Sequence, residues 1–393
     1  MRRAALGALS LAQQKLLEGI RIVDLTSVVF GPYATATLAD LGADVIKVEG
    51  PTGDMFRHAG RPGKTRGMGP CTLNINKGKR SLAVDLKTPE GKAALAAQLA
   101  EADVFIHNVL GTAIDRLGFG YEAVRAIKPD IIYVHCVGFG SDGPYGGLKA
   151  YDDVIQAATG TTNLLSRVDG NPVPRYFPSL IADKVSGLHG AYAVMAAVIH
   201  KLRFGEGQFV EVPMFEAFTH FMMQEHLYGL TLVPPKEEAG YPRQLDPFRQ
   251  PFPTADGYIT IVPYTPEAVG TLITLLESPE LAADPRFVDT PSRLRNMSLF
   301  YEEMAALTPR KTTAEWTCLM VEHQIPAMPV RDLSDITTDP HLQAVDFFQQ
   351  RTHPTEGEYL KMRSPVTFSV GSFEVRPAPT IGQDNAELGG PLL

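Results

Sequence analysis

Cysteine is scarce in this chain: three residues in 393 (Cys71, Cys136, Cys318), none spaced as Cys-x-x-Cys. A disulfide framework and a cysteine-ligated zinc site are thereby excluded, and a reducing, cytoplasmic setting is expected. Positive charge is also short. With 36 Lys and Arg against 44 Asp and Glu, the net charge of −8 leaves no basic footprint for nucleic acid. No run approaches the ~18 apolar residues of a membrane-spanning helix, so no membrane partner is expected. The start, Met1 to Ala12, turns polar at Gln13-Gln14-Lys15 too soon for a signal peptide and reads as a frayed extension.

Several catalytic signatures are missing as well. The ten histidines show neither HxxxH nor HExxH spacing, so no metal site is expected. The nucleophile elbow of serine hydrolases, GxSxG, does not occur. After the first strand the chain runs Thr26-Ser-Val-Val-Phe-Gly-Pro32, without the glycines that let a dinucleotide pyrophosphate approach the backbone. A nicotinamide or flavin oxidoreductase is therefore disfavoured.

What is present is a repeating strand and helix pattern. Gly19-Ile-Arg-Ile-Val-Asp-Leu-Thr26, a Gly31-Pro32 turn, a helical stretch from Tyr33 to Leu41 and the strand Gly42 to Glu49 make a βαβ unit. The pattern continues through Arg80–Asp85, a helix from Pro89 to Ala100, Asp103–His107 and Ile131–Cys136. This predicts a Rossmann-like open α/β sheet, which binds ligands beyond the carboxyl ends of its strands. A chain of 393 residues exceeds the ~250–300 at which one core stops growing, which implies a second lobe. The expected division is a large Rossmann-like domain over 1–222, a linker and smaller α+β domain over 223–335, and a segment over 336–393 returning to the large domain. From Phe347 short strands and turns are expected to the end, with no closing helix.

Asp183 stands out by its company, Pro178-Ser-Leu-Ile-Ala-Asp-Lys-Val-Ser-Gly-Leu-His-Gly-Ala191. Apolar residues precede it, and the small residues Ser186, Gly187, Gly190 and Ala191 suit a closely packed helix. The expectation is a carboxylate at a helix N-terminus. It is either an ordinary N-cap or a functional group held ionised by unpaired backbone N–H groups and aimed into a cleft, and spacing alone does not separate the two. A carboxylate nucleophile suits a thioester, where thiolate leaves readily.

The chain resembles the family III CoA-transferases, the group containing formyl-CoA:oxalate and carnitine CoA-transferases. The resemblance rests on Leu17–Thr26, Gly31-Pro32, Leu41–Glu49 with Gly53-Asp54 and Arg57, Asn76-Lys77, Asp85–Gly91, Asn108, Asp115–Gly118, Gly138-Phe-Gly140 with Gly143-Pro144, Tyr151-Asp152, Gln156-Ala157, Gly160, the Asp183 segment and Pro253–Gly257. It implies an interlocked homodimer, whose reach the connections Lys201 to Asp246 and Val330 to Val366 would supply. It also implies Asp183 as the nucleophile, an acyl-CoA donor and a carboxylic acid acceptor as partners, and no required metal or redox cofactor, coenzyme A entering as the thioester substrate. By the same resemblance Val28 lines the CoA site, Lys87, Asn108 and Arg116 are polar contacts to CoA, Val109 stands where an aromatic residue can sit, and Lys149 and Tyr151 flank the active site. Lys87 and Arg116 make chemical sense, because an acidic protein must meet the CoA phosphates with local cations.

Departures from the family pattern narrow the substrate. Val29 replaces a glutamine beside the reacting carboxylate, Gly50 replaces a basic CoA contact, and the glycine-rich loop is reduced to Gly240 before Pro247. An oxalate-specific pocket is not expected; a larger or less polar acyl group is. The rival within the fold is an α-methylacyl-CoA racemase, which needs two positioned bases. Its histidine would fall in Lys149-Ala-Tyr151-Asp152, where this chain has none. A non-catalytic CoA-binding protein is the remaining alternative, and an intact Asp183 speaks against it.

Overall fold

The computed structural model describes residues 15–371 and 373–391; the N-terminal stretch read as a frayed extension and the terminal Leu393 lie outside them. Six apolar runs become Arg21–Leu25 (β1), Asp44–Glu49 (β2), Lys79–Ala83 (β3), Val104–His107 (β4), Ile132–Val137 (β5) and Phe209–Pro213 (β6). They form one parallel sheet in the order β3-β2-β1-β4-β5-β6. Strands buried on both faces need no polar alternation, which is why β4 and β5 read as nearly continuous apolar runs.

Two cores cover the two faces. On one, Ile22, Ile106, Val134 and Cys136 pack against the helices Phe30–Asp40, Ile181–Phe204 and Met214–His226. On the other, Val23, Phe105 and Tyr133 pack against Pro89–Ala100, Gly111–Leu117 and Tyr121–Ile127. The small residues after Asp183 serve this packing: a Cβ on Gly187 would lie 2.8 Å from the Phe30 carbonyl oxygen, so only glycine lets the two helices approach. Strand order reverses between β1 and β4, and the connections leaving these strands diverge, opening a crevice at their carboxyl ends.

The first helix begins at Phe30, three residues before the expected Tyr33, and takes Gly31-Pro32 into its first turn. Proline is tolerated there because a first-turn N–H has no partner within the helix. The chain end also differs from expectation. After the hairpin Phe348–His353 with Gly357–Met362, a one-turn helix, Asn385–Leu388, docks beside β3. Asn385 Oδ1 accepts from the Ala83 N–H at 2.8 Å and its Nδ2 donates to the Ala83 carbonyl at 2.9 Å. A helix of four residues has too little periodicity to show in sequence.

The chain divides into two compact units, one of residues up to Thr161, Tyr176–Met222 and from His341 onward, the other of Thr162–Arg175 and Met223–Pro340. The second unit carries its own core of Phe252, Ile259, Leu272, Phe300, Met304 and Trp316. Its antiparallel strands Phe252–Pro253 and Tyr258–Ile261 turn through Asp256-Gly257, and Ala327–Pro329 adds a third strand.

No helix among the described residues is long and apolar enough to cross a membrane, and none of them form a cluster of three or more metal-ligating side chains. The three cysteines are unpaired.

Candidate active site

The loop after β1 is shaped by buried charge. Asp24 accepts hydrogen bonds from the Thr26 N–H at 2.9 Å, the Thr35 hydroxyl at 2.6 Å and Lys79 Nζ at 3.2 Å. Lys47 Nζ donates to the Thr26 carbonyl and to Asp54 Oδ2, both at 3.0 Å. The Asp54 carboxylate in turn accepts the Val28 N–H at 3.2 Å. Val28 is thereby held at φ 69°, a left-handed backbone that a β-branched residue rarely adopts and that costs about 1–3 kcal/mol. Strain of this kind persists where the surroundings over-determine it, and here it turns the loop across the mouth of the crevice.

Asn108, the first residue after β4, closes the other side. Its Nδ2 donates to the Ser27 carbonyl at 2.9 Å and its Oδ1 accepts the Ser27 N–H at 3.0 Å. The amide expected to contact CoA is thus engaged in clipping the two loops of the switch point together. Beneath them His107 and His135, last residue of β4 and its neighbour on β5, stack with ring centroids 4.4 Å apart. Burial holds both imidazoles below their usual range, His107 well below it.

A cavity of about 430 Å³ opens at this point. Val28, Asn108, Val109, Lys149, Tyr151 and Asp183 all line it, six of the eight residues singled out from sequence. The apolar walls are Phe30, Cys136, Phe139, Leu148 and Met214. Lys149 is the only lysine or arginine among the lining residues. Arg116 lies outside, exposed, its Nε donating to the carbonyl of Thr112 at the cavity edge at 3.1 Å. Lys87 is exposed in the turn after β3 and does not line the cavity.

Asp183 is not an N-cap. It is the third residue of the helix Ile181–Phe204, whose capping position is Leu180. Of the backbone N–H groups in the first turn of this helix, that of Ile181 is given to the Ser179 carbonyl at 2.7 Å and that of Asp183 to Asp152 Oδ1 at 3.0 Å. The Asp183 carboxylate accepts no hydrogen bond among the described residues, and it is 5% exposed. Burial first, then the negative charges of Asp152 and Asp153, push its pKa up to about 7 from an ordinary 3.8. The expectation of a carboxylate held ionised by the helix terminus is therefore corrected: the geometry disfavours its charge and raises its basicity. Tyr151 is exposed at the start of the helix Asp152–Ala158 and makes no hydrogen bond to Asp183.

Asp152 and Gln156 were not singled out as site residues from sequence. They sit four apart on one short helix, the spacing at which a Gln and an Asp meet, and that spacing was the available signal.

An open-sheet cavity with a basic, buried carboxylate and one nearby cation is equipped for nucleophilic attack on an anionic acyl carrier. The chain is similar to known CoA-transferases. The sequence profile described as CoA-transferase family III matches residues 17–385. A succinyl-CoA:glutarate CoA-transferase of Mus musculus is 31% identical over 380 residues, covering 95% of this chain and 86% of that protein. A formyl-CoA:oxalate CoA-transferase of Streptomyces avermitilis is 32% identical over 400 residues, covering 95% and 94%. Among solved structures, a CAIB/BAIF family protein from Brucella suis superposes with a TM-score of 0.82 at 29% identity, over 96% of this chain and 99% of that one.

Proposed function

The chain belongs to CoA-transferase family III, and on that premise we propose that it moves CoA from an acyl-CoA thioester to a carboxylic acid through covalent intermediates on Asp183. The observation that carries the reading is the Asp183 carboxylate, buried, accepting no hydrogen bond among the described residues and facing a cavity at the switch point of the sheet. An Asp183 oxygen attacks the thioester carbonyl; the C–S bond breaks and CoA leaves as thiolate. The thiolate then attacks the aspartyl carbonyl of the mixed anhydride and expels the donor acid, leaving CoA as a thioester on Asp183. The acceptor carboxylate reverses both steps and carries CoA away. One thioester replaces another, so no outside energy source is needed. Lys149 would meet an anionic group of the substrate, and the apolar walls Phe30, Phe139 and Met214 suit an acyl group larger or less polar than oxalyl.

The test is a panel of CoA thioesters against mono- and dicarboxylic acids, read by mass spectrometry of the products. A new thioester should appear only when donor and acceptor are both present, and hydroxylamine added during turnover should modify the peptide carrying Asp183. Modification elsewhere would sink the assignment. In deuterated water without an acceptor acid, rapid α-deuteration of a 2-methylacyl-CoA would favour the racemase reading instead.

The proposal includes a homodimer in the cytoplasm. The long helix exposes Leu188, Tyr192, Ile199 and Leu202 along one side, an apolar stripe that a second copy would cover. Light scattering should give about twice the chain mass of 42.8 kDa. A monomer mass at micromolar concentration would remove this part.

A further inference from the structure

Gln156 is a fully buried glutamine whose hydrogen bonds all converge on the approach to Asp183. Its Oε1 accepts the Phe177 N–H at 2.9 Å, which fixes the orientation of the amide. The Nε2 group then faces Asp152 Oδ2 at 2.6 Å and the carbonyls of Phe177 and Ser179 at 3.3 and 3.2 Å. Phe177–Ser179 is the segment that leads into the helix of Asp183. Asp152 is therefore held from both ends, one oxygen by Gln156 and the other by the Asp183 N–H.

We propose that Gln156 is a positioning residue for the transfer reaction: it locks the Asp152 carboxylate against the first turn of the Asp183 helix, so that repulsion between the two carboxylates is released when Asp183 is acylated. The inference rests on the reading of Asp183 as the nucleophile. When an Asp183 oxygen bonds to the acyl carbon, its negative charge passes through the breaking C–S bond to the CoA thiolate. The anhydride left beside Asp152 is neutral. A fixed negative group next to the nucleophile thus disfavours the free carboxylate more than the acylated one, which lowers the barrier between them. The effect requires that Asp152 stay in place rather than rotate away from its like-charged neighbour, and Gln156 prevents that rotation.

The groups that bear on Asp183 come from several elements. Asp152 and Asp153 act on it from the short helix, and Lys149, Tyr151 and His135 line the same cavity from the segment before that helix and from β5. Of these, only Asp152 is hydrogen-bonded to both Gln156 and Asp183.

Gln156→Glu keeps the acceptor for Phe177 but replaces the donor facing Asp152 with an ionisable carboxyl. The ascending limb of its kcat/KM profile against pH should move up by about one unit or more relative to the native protein. Gln156→Leu, which leaves Asp152 held through one oxygen only, should lower kcat about 10- to 100-fold while KM for the acyl-CoA stays within about two-fold. Unfolding followed at pH 6 checks that both variants are folded. An unmoved pH limb in Gln156→Glu, or unchanged kcat in Gln156→Leu, would overturn the proposal, as would failure of both to fold, since the role assigned is positioning rather than support of the fold. Intact mass under single-turnover conditions separates this from the underlying reading. If the native protein never gains the mass of CoA on Asp183, the nucleophile assignment fails. If it does, and both variants gain it at the native rate, only the role of Gln156 fails.

Discussion

Asp183→Ala is expected to lower the rate of CoA transfer by about 10⁴-fold or more while the chain remains folded, because no other carboxylate in the cavity can take over the covalent step. Full transfer by this variant, measured by product mass spectrometry, would end the mechanism. With the native protein, kcat/KM for the acyl-CoA should rise with pH to a plateau above about pH 7, where Asp183 loses its proton, rather than above pH 5 as for an ordinary aspartate. Stability should move the opposite way. Asp183 binds its proton more tightly in the folded chain, at about 7, than in the unfolded chain, at 3.8. Ionisation therefore opposes folding: the penalty is absent below pH 4, grows between 4 and 7, and is complete above 7. Asp183→Asn removes it. The variant should be more stable than the native protein at pH 8, by roughly 2–4 kcal/mol, with the difference vanishing near pH 4. Equal stability of the two at pH 8 would mean that Asp183 is not held against its charge.

Arg57→Met is expected to cost about 3–5 kcal/mol, because it strands a buried partner charge. Arg57 is buried and makes a two-pronged contact with Glu49, Nε to Oε2 at 2.6 Å and Nη2 to Oε1 at 2.7 Å. Its Nη1 also donates to the Pro379 carbonyl at 3.0 Å, tying the C-terminal segment to β2. Removing the guanidinium leaves the Glu49 carboxylate buried with, among the described residues, the Ser81 hydroxyl and the Asp54 N–H as donors. Urea unfolding of Arg57→Met, Glu49→Leu and the double variant measures the pair. The double variant should recover much of the loss, because neither charge is then stranded. Additive losses would show that the pair does not act as a unit. The charges of this scaffold also give stability a pH slope opposite to that of Asp183. Burial raises the Asp24 pKa, but Lys79 and Lys47 outweigh it and hold the group at about 2, so its contribution is full above pH 4 and fades as pH falls toward 2.

The same network shows why part of the site was hidden in the sequence. Asp24, Lys47, Glu49, Asp54 and Arg57 stood in the stretches that carried the family resemblance, yet nothing in their spacing says that they are buried or that they meet. Their partners lie as far apart in the chain as Arg57 and Pro379, and pairing over that distance depends on how β2 and the C-terminal segment come together. The first helix was misplaced by three residues for a local reason, since Gly31-Pro32 serves a turn and a first helical turn equally well. The sheet, by contrast, was legible, because strands buried on both faces write long apolar runs that helices on the surface interrupt.

By itself the sequence determined the open α/β sheet, the crevice at its carboxyl edge and the family, and it pointed to Asp183 as the residue to test. Those follow from hydrophobic periodicity and from local stretches of chain, which are properties of neighbours along the backbone. Tertiary structure alone decided the state of Asp183. Local spacing suggested a carboxylate stabilised at a helix end; the fold placed it three residues past the capping position, gave its N–H to Asp152 and surrounded it with apolar walls and like charge. A side chain's proton affinity is set by the solvent it loses and the charges it meets, and both are fixed only when distant segments pack.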